Sequence, residues 1–429
     1  MIRFKYLELI RLLSNERCSQ QRLKQIQNVK LKRLISHAYE NVAFYRNKFE
    51  QAGLNGGDFR SIEDLGKFPI IDKTDLQNID VSEWLDRRVQ NINRLIPIRT
   101  SGSSGFPLSF YIDRNYDQIR KAQCLRPYIT NGRGLTDKLV QLSATSHVPK
   151  VKWFQHLGLM QQKQIFTGTS PSQQLELINR LKPEIIQGYG SSLVLLASKI
   201  LSEGQPVHTP RMVFSDSELL TTHMRRSIEK GFNAQVLDVY GSFETDNIAY
   251  ECHQHKGYHI SADTVIMEFI KDGKRVLPEE EGEIVCTVLD NYTMPFIRYN
   301  LHDIAVPSDR PCVCGRSFPL MSMICGRTYD YAIAVDKSLR SPANFLAKFD
   351  ALADFAYEFQ VIQQAIDQFE VLIVPSNLFR DNIKEMIRQL ITEEFPHTTV
   401  RVNLVSRIER GQSGKFSAFI SKVSRDECK

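Results

Sequence analysis

Apolar positions open the chain with a helical rhythm. Leu31, Leu34, Ile35, Ala38 and Val42 recur at three- and four-residue intervals, which predicts helix over most of residues 1 to about 55. From about 60 to 325 the pattern changes, and helical stretches alternate with short continuous apolar runs. Ile185-Ile186, Arg211-Met212-Val213-Phe214 and Gln235-Val236-Leu237-Asp238-Val239-Tyr240 predict parallel strands that stop at polar or glycine-bearing turns. In an open α/β sheet, ligands collect outside the carboxyl ends of the strands, so these turns are the first place to look for chemistry. Near the end of the chain, residues 369–374 and 399–405 predict strands on either side of a helix from about 378 to 394. That pattern gives a small α+β unit.

Composition narrows the class. At 429 residues, with 42% hydrophobic and 24% charged residues, the chain is globular in type and too long for one compact core. The formal charge of +6 is small for this size. No concentrated Lys/Arg tract and no aromatic-basic platform is present, which argues against nucleic acid as a partner. The opening Met1-Ile2-Arg3-Phe4-Lys5 is interrupted by charge, and no apolar run approaches the roughly 18 residues of a membrane span. A cytoplasmic enzyme is the expectation. Eight cysteines in so long a chain do not make a disulfide scaffold, and the close pair Cys312 and Cys314 favours metal.

Two clusters carry candidate chemistry. Thr100-Ser101-Gly102-Ser103-Ser104-Gly105 lies between Leu95, Ile96 and Ile98 and a second β-rich run, Leu108-Ser109-Phe110-Tyr111-Ile112. Glycines let backbone N–H groups converge and hydroxyls add donors, so such a strand-to-strand loop can wrap a phosphate. On the residues alone a plain Ser/Gly turn is the simpler reading, and no Lys-Ser/Thr pair follows Gly105 as in a P-loop. Cys312-Val313-Cys314 offers two thiols, and residues 251–259 offer Cys252 with His253, His255 and His259. Four Cys/His ligands make a closed tetrahedral, structural site. Spacing does not choose among the three histidines.

The 100–107 segment, Thr-Ser-Gly-Ser-Ser-Gly-Phe-Pro, resembles the Thr-Ser-Gly-Ser/Thr-Thr-Gly-x-Pro loop of adenylate-forming enzymes, which activate carboxylic acids with ATP. Residues 34–46 resemble the opening helix of the phenylacetate-CoA ligase branch and its relatives among capsular polysaccharide (CapK-like) proteins and coenzyme F390 synthetases. Further motifs follow in the family's order. The resemblance implies an α/β fold: a large N-terminal domain, residues 1–326, with a helical N-terminal segment, and a small mobile α+β C-terminal domain, residues 327–429.

The same resemblance assigns roles. Thr100 through Gly105 would meet the phosphates. Ser215, Asp216, Ser217 and Glu218 would form part of the adenine pocket. In Tyr240-Gly241-Ser242-Phe243-Glu244 the tyrosine and Gly241 would lie against the nucleotide and Glu244 would help hold Mg2+, a hard cation that takes one or two carboxylates. The segment Met294-Pro295-Phe296-Ile297-Arg298-Tyr299 leads to Asp303, which would accept the ribose hydroxyls, a vicinal pair of donors suited to one carboxylate. Cys325-Gly326-Arg327-Thr328-Tyr329-Asp330 resembles the family's hinge, with Arg327 on the nucleotide and Asp330 as pivot. Arg410-Gly411-Gln412-Ser413-Gly414-Lys415 resembles the turn that delivers the catalytic lysine, Lys415. Branch relatives carry a cysteine, a histidine and two later cysteines, which favours Cys252, His259, Cys312 and Cys314 as the Zn2+ set.

The chain departs from the family at two places. Phe106 stands where a lysine is usual, removing a point charge near the phosphates, and His302 stands where glycine is usual. The implied activity is conversion of a carboxylic acid and ATP to an acyl adenylate, then acyl transfer to coenzyme A. An amine acceptor, as in the CapK-like neighbours, is the alternative; a catalytically degenerate, zinc-stabilised nucleotide-binding protein is a second. The acid pocket is expected among residues 128–147 and at Gln187-Gly188-Tyr189-Gly190-Ser191. Neither the acid nor an oligomeric state is legible.

Overall fold

The computed structural model describes residues 2–100, 108–143, 151–204, 206–327, 332–340, 348–352, 354–409 and 416–423. The chain divides into two compact units, one of Met1–Gly132 with Val239–Ile324, the other of Arg133–Asp238 with Cys325–Lys429.

The first unit begins with helices Ile2–Asn15, Gln20–Asn41 and Ala43–Gln51. Ser19 caps the second by accepting the Arg22 N–H, and Val42, in extended geometry, separates it from the third. The stripe read from the sequence is the buried face: Leu31, Leu34, Ile35, Ala38 and Val42 are all fully covered. They join Trp84, Phe110, Phe296 and Tyr299 in one apolar cluster. Burying side chains of this size contributes roughly 1.5–3 kcal/mol each before entropy is counted. The unit's strands lie in the spatial order Lys274–Arg275, Val265–Lys271, Gly282–Val288, Tyr299–Ser308, Leu320–Arg327, Tyr258–Ile260, Asp246–Glu251, Gln235–Ser242. Helix Arg114–Thr130 is anchored to this unit by charge. Its fully buried Arg126 grips the equally buried Asp263 with three hydrogen bonds of 2.9 Å, and Asn15 adds a fourth.

The second unit holds the parallel strands expected of an α/β sheet. Ile185–Tyr189 lies between Leu139–Ser143 and Met212–Asp216, with Gln162–Phe166 beyond Leu139–Ser143. Helices Pro171–Leu181 and Gly190–Glu203 connect them, and Thr222–Phe232 follows Met212–Asp216. The C-terminal stretch of this unit is a second small sheet in the order Thr399–Leu404, Gln368–Pro375, Ala356–Ala365, Phe419–Ser421. The expected strand-helix-strand is present as Gln368–Pro375, Asn382–Glu394 and Thr399–Leu404, the two strands pairing in parallel. Phe369, Val371 and Ile373 alternate into the same core that receives Ile383, Ile387 and Ile391 at helical spacing. Among the described residues no helix is long and apolar enough to cross a membrane.

Candidate active site

Strands Ile96–Arg99 and Ser109–Ile112 pair antiparallel, from Ile96 opposite Ile112 to Arg99 opposite Ser109. Thr100 and Leu108 extend this strand pair. The Thr100 N–H donates to the Leu108 carbonyl and its hydroxyl accepts the Leu108 N–H, both at 2.9 Å. Ser101, Gly102, Ser103, Ser104 and Gly105 lie outside the described residues, as do Phe106, Asp330, Lys415 and the side chain of Arg327.

Tyr240, Gly241 and Glu244 sit where Gln235–Ser242 turns back into Asp246–Glu251. Backbone geometry explains the glycine, because a Cβ at Gly241 would lie 1.9 Å from the Asp246 carbonyl oxygen. The turn aims Tyr240 at Asp303, 63 residues on, and its hydroxyl donates to the Asp303 carboxylate at 2.6 Å. Glu244, partly exposed, accepts the Tyr299 hydroxyl at 3.3 Å. Residues far apart in sequence thus meet as two tyrosines and two carboxylates, Asp303 and Glu244, in the first unit.

The second unit carries Ser215, Asp216, Ser217 and Glu218. Ser215 is fully buried, and Asp216 ends its strand by accepting Gln187 Nε2 at 2.5 Å. Ser217 turns the chain with φ of 64°, and Glu218 points back to the start of helix Gly190–Glu203, accepting the Ser191 N–H at 2.8 Å and its hydroxyl at 3.1 Å. Tyr189 lies nearby; burial first, then the charges of Asp216 and Glu218, raise its phenol above the ordinary range.

In the first unit Cys252, His259, Cys312 and Cys314 converge with their ligand atoms all within 4.8 Å of one another. Cys252 Sγ lies 3.7 Å from Cys312 Sγ, and Cys314 Sγ lies 3.4 Å from His259 Nε2. Bonds of about 2.3 Å to sulfur and about 2.0 Å to nitrogen make tetrahedral edges of about 3.5–3.8 Å, close to these two separations. Burial lowers His259 to about 4, keeping the imidazole neutral and able to ligate. His253 and His255 face elsewhere: the first bonds the Asn131 carbonyl at 2.9 Å, and the second lies 3.6 Å from Glu251.

A family model described as the CapK C-terminal domain matches residues 334–422. The phenylacetate-coenzyme A ligase of Thermus thermophilus is 25% identical over 425 residues, covering 92% of this chain and 90% of that protein. Protein CapK of Staphylococcus aureus is 24% identical, covering 94% and 90%. The chain is similar to phenylacetate-CoA ligases and to CapK over nearly its whole length. A solved 2-hydroxyisobutyryl-CoA ligase, in its postadenylation state with R3-HIB-AMP, shares the fold with a TM-score of 0.78 at 18% identity, covering 95% of this chain and 90% of that one.

His302 stands where the resembling family usually has glycine. The residue takes φ of 59°, the left-handed region that glycine enters without cost. Here the backbone path is kept by other means: the His302 N–H donates to Asn300 Oδ1 at 2.9 Å, and its ring lies 2.9 Å from Asp72. His302→Gly should therefore leave stability within about 1 kcal/mol, while His302→Val, β-branched at positive φ, should cost about 2 kcal/mol. Urea denaturation of both variants measures the difference. Arg298, in the same motif, was given no role from sequence. It holds the strand ends together, bonding buried Glu268 at 2.9 and 3.1 Å and the carbonyls of Gly66 and Phe68. No spacing rule links residues so far apart.

Proposed function

We propose that this chain activates a carboxylic acid with ATP, its carboxylate attacking the α-phosphate to give an acyl adenylate and release pyrophosphate, and then transfers the acyl group to the thiol of coenzyme A with release of AMP. The observation that carries the reading is the meeting of Tyr240 with Asp303 on the hairpin that also presents Glu244. A flat ring, a carboxylate able to accept two hydroxyls and a second carboxylate for Mg2+ match the adenine, ribose and phosphate portions of a nucleotide in turn.

In this reading residues Thr100 to Gly105 cradle the phosphates, Ser215 to Ser217 and Gly241 border the adenine, and Arg327 approaches the nucleotide. Mg2+ at Glu244 would neutralise phosphate charge. Lys415 stabilises the charge that builds up as the carboxylate attacks, where binding counts most. Residues 327–429 form the mobile domain that brings Lys415 in for adenylation and withdraws it for acyl transfer. Cys252, His259, Cys312 and Cys314 would hold one Zn2+ with no open position, a fold-stabilising role remote from the chemistry. The alternative, implied by the resemblance to CapK-like proteins, is that an amine rather than a thiol takes the acyl group.

Carboxylate-dependent exchange of labelled pyrophosphate into ATP, with pooled aryl, fatty and amino acids, tests the first step for either acceptor. Exchange that one acid supports establishes adenylation; silence across the pool with ATP binding intact would favour a nucleotide-binding protein without chemistry. Asp303→Ala should raise the KM for ATP in this assay about 10- to 100-fold, the loss of charge-assisted hydrogen bonds to ribose. An unchanged KM would remove Asp303 from the nucleotide site.

A further inference from the structure

The carboxylate of Glu218 has a third donor. Beyond Ser191 N–H and Oγ, its Oε1 accepts the backbone N–H of Phe416 at 2.7 Å, across 198 residues of sequence. All of these residues belong to the second unit. The peptide group that carries this N–H is the one joining Lys415 to Phe416. On the other side, Glu218 completes the start of helix Gly190–Glu203, whose preceding residue Tyr189 supplies no side-chain cap. A negative carboxylate there is favoured by the helix dipole and by the converging N–H and hydroxyl of Ser191, two donors independent of Phe416.

The residues after Phe416 are tied to the C-terminal sheet. The Ala418 carbonyl accepts the Val361 N–H at 2.9 Å, the Ser417 carbonyl accepts Gln360 Nε2 at 2.8 Å, and Phe419–Ser421 pairs with Ala356–Ala365. Glu218 therefore grips the segment at the residue that follows Lys415 in sequence. A carboxylate already accepting three protein donors is poorly placed to read an adenine ring as well.

We propose that Glu218 is a positioning residue, the clamp on the Phe416 N–H that positions Lys415, its neighbour in sequence, for adenylation. The mechanistic part rests on the acid-ligase reading above; the clamp itself does not. It follows that Glu218 governs turnover in the first half-reaction and leaves ATP affinity alone, whereas an adenine-pocket residue would govern affinity.

The test compares wild type, Glu218→Gln and Glu218→Ala in two measurements. The first is hydrogen exchange of the Phe416 amide by mass spectrometry, which needs no substrate. The second is pyrophosphate exchange with the acid pool over a range of ATP concentrations. Expected are at least about 10-fold faster Phe416 exchange in Glu218→Ala, and kcat lowered about 10- to 100-fold with the ATP KM within about two-fold, the size of one charge-assisted hydrogen bond. Glu218→Gln, which keeps one acceptor oxygen and guards against a folding defect in the alanine variant, should fall between. Unchanged Phe416 exchange in both variants, or a raised ATP KM with kcat held, would overturn the clamp. A wild-type chain silent with every acid, whose Phe416 amide still depends on Glu218, would count against the ligase reading and uphold the clamp.

Discussion

Lys415→Ala should lower carboxylate-dependent pyrophosphate exchange by about 100- to 1,000-fold while ATP still binds, the range seen when one preorganised donor to a developing anion is removed. The physical reason is differential. In the ground state ATP is held by many groups, so one cation adds little; in the transition state charge concentrates between the attacking carboxylate and the α-phosphate, and a cation at that point stabilises what nothing else reaches. Phe106 sharpens the expectation, because the lysine usual in the phosphate loop is absent and fewer cations share the load. Lys415→Arg should recover only part of the loss, since a planar guanidinium does not replace a compact ammonium. Exchange within about five-fold of wild type in the alanine variant would assign the step to another residue.

Removing metal should have the largest effect on stability. The four donors in the first unit draw on three separate places: Cys252 after strand Asp246–Glu251, His259 within Tyr258–Ile260, and Cys312 with Cys314 in the turn before Leu320–Arg327. One ion would close all three loops at once, and structural zinc is bound strongly enough that such a region is folded with it and loosened without it. Burial pushes Cys252 up to about 12, whereas Cys314 is drawn below its ordinary value, with burial opposed by the Arg316 backbone N–H, the Cys312 thiol and the Arg316 guanidinium. Cys312→Ala, or exhaustive chelation, should lower the melting temperature by about 10 °C, and elemental analysis of the wild type should find about one zinc per chain. His253→Ala and His255→Ala should keep the metal, because neither ring faces the cluster. Zinc lost from those variants and kept in His259→Ala would reverse the assignment.

Much of the candidate site was legible because local rules governed it. The Tyr240-Gly241 turn needs a residue without a side chain where backbone passes 1.9 Å from a would-be Cβ, and a sequence can announce that with a glycine. The buried helix face at Leu31, Leu34, Ile35 and Ala38, and the alternation of Phe369, Val371 and Ile373, follow from the helix and strand periods of about 3.6 and 2. Other features had no local sign. His253, His255 and His259 are equivalent in composition, and only the pairing of Tyr250 with His259 across adjacent strands directs the last one toward the cysteines. At 302, the sequence signalled a departure from glycine; the backbone, held by Asn300 and Asp72, decided that the departure is tolerated.

The sequence by itself determined the order of helices and strands, the two apolar periodicities, and the set of residue types that nucleotide chemistry requires, because each depends on neighbours within a few positions. Tertiary structure alone decided which of those residues meet. Arg126 finds Asp263 across 137 residues, Tyr240 finds Asp303 across 63, and Glu218 finds Phe416 across 198. A hydrogen bond is set by distances of about 3 Å between atoms, and that separation is fixed by sheet order and packing rather than by separation along the chain.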